Sequence, residues 1–126
     1  MIYGTGIDII EITRIEKSLE KYSNQFEKKI FTPGEIAYCR SKANPARHFA
    51  ARFAVKEATF KSLGKGMTSE IGWKDLEVVN EENSGRPHLK FTRKGREVLD
   101  KLKLKMIHIS ISHDDHYAVA QAVAES

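Results

Sequence analysis

The chain has little of what marks secreted and membrane proteins. It holds one cysteine among 126 residues, so Cys39 has no partner for an internal disulfide, and a disulfide-stapled secreted scaffold is excluded. No apolar run approaches the roughly 20 residues that a membrane-spanning helix needs. No N-terminal segment reads as a signal peptide. We therefore expect a cytoplasmic protein without membrane contact.

Strong functional motifs are also missing. The chain has no P-loop, and neither His108 nor His113 has metal-ligand spacing to another His or Cys. Cys39 lacks a convincing triad and is interpreted as a small core residue. The formal net charge of +4 favours an anionic partner, which could be a phosphate group, a nucleic acid or an acidic protein.

Hydrophobic periodicity predicts one α+β domain spanning residues 1–126. With 40% hydrophobic residues the chain can bury a core, and no repeat or linker divides it. A capping box at Thr13 and a proline-led box at Thr32 mark two helix starts, and Gly64 marks a helix end. The predicted helices cover residues 13–30, 33–42, 45–63 and 92–103. The predicted strands cover residues 2–10, 76–80, 87–91, 106–112 and 117–124.

Two acids stand in otherwise apolar segments. Asp8 lies near the end of the first predicted strand, and Glu57 lies in the third helix between cations. Two carboxylates from distant elements can hold a hard divalent cation and leave its remaining positions to water and substrate phosphate. The alternative is structural, with Asp8 capping a turn and Glu57 paired to Lys61 or Arg52 on a solvated face. The pattern alone leaves both interpretations open.

Cations and glycines also gather at the end of the third helix and in the loop after it. They could cradle phosphate groups, or they could form a soluble basic helix end whose lysines favour the helix dipole. The residues are Arg52, Lys56, Lys61, Gly64, Lys65 and Gly66.

Two histidines are candidates near the C-terminal hairpin. His108 falls on the polar side of a predicted strand, and His113 adjoins a turn beside Asp114. Either could meet phosphate or transfer a proton, and either could be a hydrogen-bonded structural histidine. The alanines that alternate along the last strand make one of its faces flat, which suits close packing of a helix or another subunit.

A basic stripe runs along the first predicted helix, opposite its apolar face, and consists of Arg14, Lys17, Lys21 and Lys28. The stripe could recognise an acidic helix or a nucleic-acid backbone, or it could be a solvated face. Aromatic residues are not interleaved with it, which weakens binding to single-stranded nucleic acid.

Four segments taken together resemble the holo-[acyl-carrier-protein] synthases of the phosphopantetheinyl transferase superfamily. Their order and spacing match across essentially the whole chain. This chain has Gly85-Arg86-Pro87 where relatives often have Gly-Lys-Pro, which keeps the charge. The segments are Gly-Ile-Asp-Ile at residues 6–9, Arg-Phe-Ala-Val-Lys-Glu-Ala at 52–58, Gly-Arg-Pro at 85–87 and His-Ile-Ser-Ile-Ser-His at 108–113.

This resemblance implies transfer of the 4′-phosphopantetheine arm from coenzyme A to a serine of acyl carrier protein in fatty acid biosynthesis, with release of adenosine 3′,5′-bisphosphate. By the family pattern, Asp8 and Glu57 bind Mg²⁺ with the coenzyme A pyrophosphate, and Lys61 contacts the phosphates. The expected fold is a curved, mainly antiparallel sheet packed against a long helix. The group that takes the serine proton stays open among Glu57, His108 and a metal-bound water.

Further contacts follow from the same resemblance. The carrier protein is expected at Arg14, with Lys21 and Lys28 behind it, and short family members are homotrimers with active sites between neighbouring subunits. The residues expected to bind coenzyme A are Arg52, Lys61, Gly64, Gly66, Ser112 and His113.

Two rival functions would use the same features. A small basic nucleic-acid-binding module would not need Asp8 or Glu57. A metal-dependent phosphohydrolase would use both acids but take water as the acceptor. We predict the transferase, with no nucleic-acid partner.

Overall fold

The computed structural model describes residues 1–22, 24–64 and 70–126. Its helices are α1 (Ile12–Tyr22), α2 (Asn24–Ile30), α3 (Pro33–Arg40), α4 (Pro45–Ser62) and α5 (Arg93–Lys101), with a 3-10 turn at Trp73–Asp75. Its strands are β1 (Ile2–Glu11), β2 (Leu76–Asn80), β3 (Pro87–Phe91), β4 (Met106–His113) and β5 (Tyr117–Glu125). No helix of the described part is both long and apolar enough to cross a membrane.

The strands form two antiparallel units. β1, β5 and β4 make a three-stranded sheet with β5 in the middle, and β2 pairs with β3 as a hairpin that lies beside β4. Asp8 on β1 is opposite Ala120 on β5, which is opposite Ile111 on β4. α4 crosses one face of this sheet and packs on β1 and β5. The predicted α+β fold with antiparallel strands against a long helix is confirmed.

Small residues let α4 lie close to the sheet. The alternating alanines of β5 face the helix and are at most 1% exposed, from Ala118 to Ala124. A Cβ atom on Gly6 of β1 would collide with the carbonyl oxygen of Ala58, so the two backbones approach to a distance that only glycine permits. The flat face of β5 is therefore occupied by a helix of the same chain.

The opposite face of the sheet, which we call the outer face, carries a patch of exposed apolar side chains that no described part of the chain covers. Ile7 and Ile9 are 63% and 65% exposed. Exposed apolar area of this kind on a soluble chain marks an interaction surface more often than an unoccupied one. Its large exposed members are Tyr3, Ile7, Ile9, Met106 and Tyr117.

Local sequence signals predicted some helix ends correctly and others incorrectly. The box at Thr32 is confirmed, because its hydroxyl accepts from the Glu35 amide while the Glu35 carboxylate accepts from the Thr32 amide. The box at Thr13 is wrong. α1 begins at Ile12, whose amide donates to the His116 carbonyl at 2.8 Å, so a contact with the β4–β5 turn starts the helix. Gly64 follows α4 with φ of +95°, as expected of a helix terminator.

The other predicted helices differ from the observed ones by a few residues at their ends or by a division into two. The single helix predicted over 13–30 is two helices, on either side of Ser23, which lies outside the described residues. α5 ends at Lys101 rather than at Lys103, because Lys103 has a left-handed backbone with φ of 59°.

Candidate active site

Asp8, Glu57 and Lys61 form what we call the acid flank, on the side of α4 that faces β1. The Lys61 ammonium group donates to the Ile7 carbonyl at 3.0 Å and to the Asp8 carboxylate at 3.2 Å. The side chain of Asp8 is 17% exposed and that of Lys61 is 50% exposed. The partner of Lys61 is therefore Asp8, across the helix–sheet contact, and the lysine end stays open to solvent.

The two carboxylates of the acid flank interact electrostatically. Burial raises the pKa of Glu57, the negative charge of Asp8 raises it further, and Lys61 opposes both effects. A bound cation stabilises two carboxylates that repel each other and are partly buried. Mg²⁺ is commonly held by one or two carboxylates, with water and substrate phosphate in its other positions.

The donor set therefore fits Mg²⁺. Within residues 1–22, 24–64 and 70–126, no group of three or more His, Cys, Asp or Glu side chains is placed to hold a metal. A cation that needs only two protein carboxylates matches Asp8 and Glu57.

A second feature, the cationic pocket, lies on the side of α4 that faces β4 and the β2–β3 hairpin. It is a cavity of about 400 Å³. The Arg52 guanidinium group forms its wall, donating to the Asn80 side chain at 2.6 Å and lying 4.1 Å above the ring of Tyr38. The polar and charged residues that line it include Tyr38, His48, Arg52, Asn80, Arg86 and His113.

This pocket is built for an anion. Arg52 is only 3% exposed, yet its buried Nε has no hydrogen-bond partner among the described residues. Burial lowers the pKa of His48, and the charges of Arg52, Lys42, His113 and Arg47 lower it further. No carboxylate is among the described residues that line the cavity. An entering phosphate would meet positive charge that no carboxylate of the described lining compensates.

The acid flank and the cationic pocket lie on opposite sides of α4. At about 100° per residue, Glu57 and Arg52 project about 140° apart around the helix axis. Lys61 contacts β1 at one edge of the sheet, whereas the pocket includes Ile111 and His113 of β4 at the other edge. Within one chain, the helix stands between the two features.

A family model for the 4′-phosphopantetheinyl transferase superfamily matches residues 4–122. The chain belongs to this superfamily. Curated relatives are similar over nearly their whole length. A holo-[acyl-carrier-protein] synthase of Geobacter sp. (strain M21) is 48% identical, and one of Koribacter versatilis is 46% identical, each match covering 99% of both chains.

Solved structures of superfamily members superpose closely. The holo-[acyl-carrier-protein] synthase of Neisseria meningitidis has a TM-score of 0.94 at 28% identity, covering 100% of both chains. That of Bacillus anthracis, in complex with CoA (3′,5′-ADP), has 0.82 at 38% identity, covering 100% of this chain and 98% of that one. That of Helicobacter pylori, in complex with coenzyme A, has 0.85 at 30% identity, covering 96% and 99%. The predicted family and the predicted transferase activity are confirmed.

The other expected contact residues of this phosphopantetheinyl transferase are spread over the surface. Ser112 on β4 is exposed and is not among the residues that line the cationic pocket, whereas its neighbour His113 lines it. Gly64 is exposed at the end of α4, and Gly66 lies outside the described residues. His108 is on the outer face, 3.0 Å from the Glu125 carboxylate.

The basic stripe is exposed as expected. Arg14 and Lys21 lie on α1, and Lys28 lies on the separate helix α2. Arg14 and Lys21 are seven residues apart, about two helical turns, and so project to the same side of α1.

Lys56 is the clearest departure from the sequence interpretation. It is not part of a phosphate cradle, because it is 0% exposed. Its ammonium group donates to the carbonyls of Ile30, Trp73 and Leu76 at 2.8–3.0 Å and pairs with Glu35 at 2.7 Å. The lysine in the superfamily's Lys-Glu-Ala segment is here a buried structural cation.

Among the polar residues of the cationic pocket, Tyr38, His48 and Asn80 lie outside every motif that the sequence analysis singled out. His48 lies four residues before Arg52, so helical spacing puts both on one face, and that signal could have found it. Tyr38 and Asn80 come from α3 and β2, and no local pattern connects them to α4.

Proposed function

We propose that this transferase moves the 4′-phosphopantetheine group of coenzyme A to a serine of acyl carrier protein, for fatty acid biosynthesis in the cytoplasm. The observation that carries the proposal is the coexistence of an acid flank that fits Mg²⁺ and a cationic pocket that fits a phosphorylated nucleotide. Support comes from relatives named holo-[acyl-carrier-protein] synthase and from two similar structures in complex with coenzyme A.

The chemistry is one displacement at phosphorus. The serine hydroxyl gives up its proton and its oxygen forms a bond to the phosphorus that carries the pantetheine arm. The bond from that phosphorus to the bridging oxygen breaks, and adenosine 3′,5′-bisphosphate leaves with that oxygen. When bound at Asp8 and Glu57, Mg²⁺ supplies positive charge to the pyrophosphate. Lys61 extends from the same flank with an exposed ammonium group that can pair with a phosphate oxygen. Arg52 and His113 hold the nucleotide end in the cationic pocket.

The placement of the two features favours an active site shared between chains. Coenzyme A is one molecule, but within a chain α4 separates the acid flank from the cationic pocket. Two neighbouring copies can present the flank of one and the pocket of the other to the same ligand. The apolar patch of the outer face, with Ile7 and Ile9 exposed, provides the surface that such copies would bury. A closed homotrimer satisfies both conditions.

The carrier protein would dock on the basic stripe. Arg14 and Lys21 project from one side of α1, which follows β1 directly, and Lys28 extends the positive surface on α2. An acidic helix of a carrier protein complements this charge, which speeds encounter more than it tightens binding.

The direct test is to incubate the enzyme with apo acyl carrier protein, coenzyme A and Mg²⁺ and to follow the carrier by mass spectrometry. We expect the carrier to gain the phosphopantetheine mass and adenosine 3′,5′-bisphosphate to appear in equal amount. Arg14→Glu should raise the KM for the carrier and leave the KM for coenzyme A unchanged. Bisphosphate release without carrier would favour a phosphohydrolase, and absence of release with several carriers would overturn the proposal.

Subunit mixing tests the shared site. Glu57→Gln damages the acid flank, and Arg86→Glu reverses a charge at the exposed rim of the pocket. When both inactive variants are refolded together in equal amounts, random assembly leaves about a quarter of the shared sites with two intact halves. We expect activity to return to about that fraction. A mixture as inactive as its parents would place the whole site within one chain.

A further inference from the structure

His48 stands at the wall of the cationic pocket and is held there by ring contacts. It lies one turn before Arg52 on α4, and the centroid of its ring is 5.9 Å from that of Tyr38 and 6.4 Å from that of His113, both in edge-to-face contacts. His48 is half-buried. The imidazole is therefore fixed beside the space that a ligand would fill.

The groups around His48 come from every element that packs against the pocket. Two of these groups have partners of their own. Arg47 pairs with the exposed Asp115 at 3.0 Å, and Arg52 donates to the neutral Asn80 side chain. Without a ligand, burial and, after it, the surplus of positive charge favour the neutral imidazole, in keeping with the lowered pKa of His48. The charged and titratable members are Arg47 and Arg52 of α4, Tyr38 of α3, Lys42 after α3, Arg86 before β3, and His113 of β4.

We propose that His48 is a specificity-determining residue that gains a proton when a terminal phosphomonoester enters the cationic pocket, and so selects coenzyme A over ligands that lack its 3′-phosphate. The inference rests on the proposed function. A dianion beside the ring supplies the compensating charge that the pocket lacks, and protonated His48 then offers a charge-assisted hydrogen bond.

Proton linkage determines whether the affinity for the ligand rises or falls with pH. If His48 is neutral in the free enzyme and protonated in the complex, binding takes up a proton, and affinity for the phosphorylated ligand rises as pH falls from 8 to 6.5. The phosphomonoester itself has a second pKa near 6. A cationic pocket favours its dianion, so titration of the ligand alone would release a proton on binding. Uptake and release therefore distinguish the histidine from the phosphate.

Calorimetric titrations with coenzyme A and with 3′-dephospho-coenzyme A provide the test. Each titration is run at pH 7 in two buffers of different ionisation enthalpy, and the difference in heat gives the protons exchanged. We expect net uptake with coenzyme A and little exchange with the dephosphorylated ligand. His48→Gln should abolish the uptake and weaken coenzyme A binding about tenfold at pH 6.5, while affinity for 3′-dephospho-coenzyme A changes less than about twofold.

The matched control is His116→Gln, which removes an exposed histidine of the β4–β5 turn outside the pocket lining. It should leave the proton uptake unchanged. The wild-type measurement needs no variant, so equal proton exchange with the two ligands would overturn the proposal by itself. Uptake that persists in His48→Gln would also overturn it. If neither ligand binds and no carrier is modified, the proposed function fails instead.

Discussion

Glu57→Gln and Asp8→Asn should each lower the rate of phosphopantetheine transfer by at least about 100-fold, because under the proposed function each removes one of the two carboxylates that hold Mg²⁺, and with it several kcal/mol of charge stabilisation. The amide keeps the shape of each side chain, so the fold should persist. The pKa of Glu57 is raised in the folded chain. Above the pKa of an unfolded glutamate, this carboxylate therefore costs stability, and Glu57→Gln should be at least as stable as the wild type without metal.

The measurement is the initial rate at saturating coenzyme A over a range of Mg²⁺ concentrations, together with the midpoint of urea unfolding. Glu82→Gln is a matched control, since it makes the same change in the exposed β2–β3 connection. It should retain full activity. Wild-type rates in Glu57→Gln or Asp8→Asn would remove the metal role from that residue, and a lost activity that tracks a lowered unfolding midpoint would make the role structural.

The strands could be predicted because their signals are local. Periodicity predicted the bounds of β2 and β3 as the structure has them, since the turn between them separates two alternating segments. The start of α1 could not be predicted from Thr13, because the Ile12 amide bonds to His116, more than 100 residues away in sequence. Local capping rules describe a helix end only when no tertiary contact takes its place.

Some residues of the candidate site could be predicted from the sequence and others could not. Asp8 and Glu57 were singled out because charge in an apolar segment is costly without a partner, but their approach in space came from the family resemblance. His48 was missed although its four-residue spacing to Arg52 places both on one face of α4, and only the structure shows its contacts with the rings of Tyr38 and His113. Lys56 was misassigned for the opposite reason. Sequence shows that a lysine is charged, but only the packing shows that its charge is enclosed by Glu35 and three carbonyls.

Lys56→Met should destabilise the folded chain by about 3–5 kcal/mol, because it leaves the Glu35 carboxylate buried without its cation. Glu35 is 1% exposed and also accepts from the amides of Thr32 and Val78. Removing the lysine takes the charged donor away from the carboxylate and from three carbonyl groups at once. The measurement is urea unfolding at fixed protein concentration, since a chain that associates has a concentration-dependent midpoint.

A double variant separates the cost of leaving the Glu35 carboxylate unpaired from the cost of lost packing. In Lys56→Met with Glu35→Gln no ion is left unpaired, and the amide keeps one acceptor for a backbone N–H group. We expect a favourable coupling of about 1–3 kcal/mol, so that the double variant is destabilised by less than the sum of the losses in Lys56→Met and Glu35→Gln. The control Lys17→Met, at an exposed position of α1, should change stability by less than about 0.5 kcal/mol. Additive effects would mean that the buried pair contributes no specific interaction.

The same lysine connects both halves of the site. It precedes Glu57 of the acid flank, and its contact with the Leu76 carbonyl anchors the start of β2, the strand that ends at Asn80 beside Arg52. Lys56→Met should therefore lower activity even where it remains folded, raising the KM for coenzyme A through the pocket and the Mg²⁺ requirement through Glu57. If the folded fraction of Lys56→Met has wild-type values for both, the buried cation supports the fold alone and the two halves are positioned independently of it.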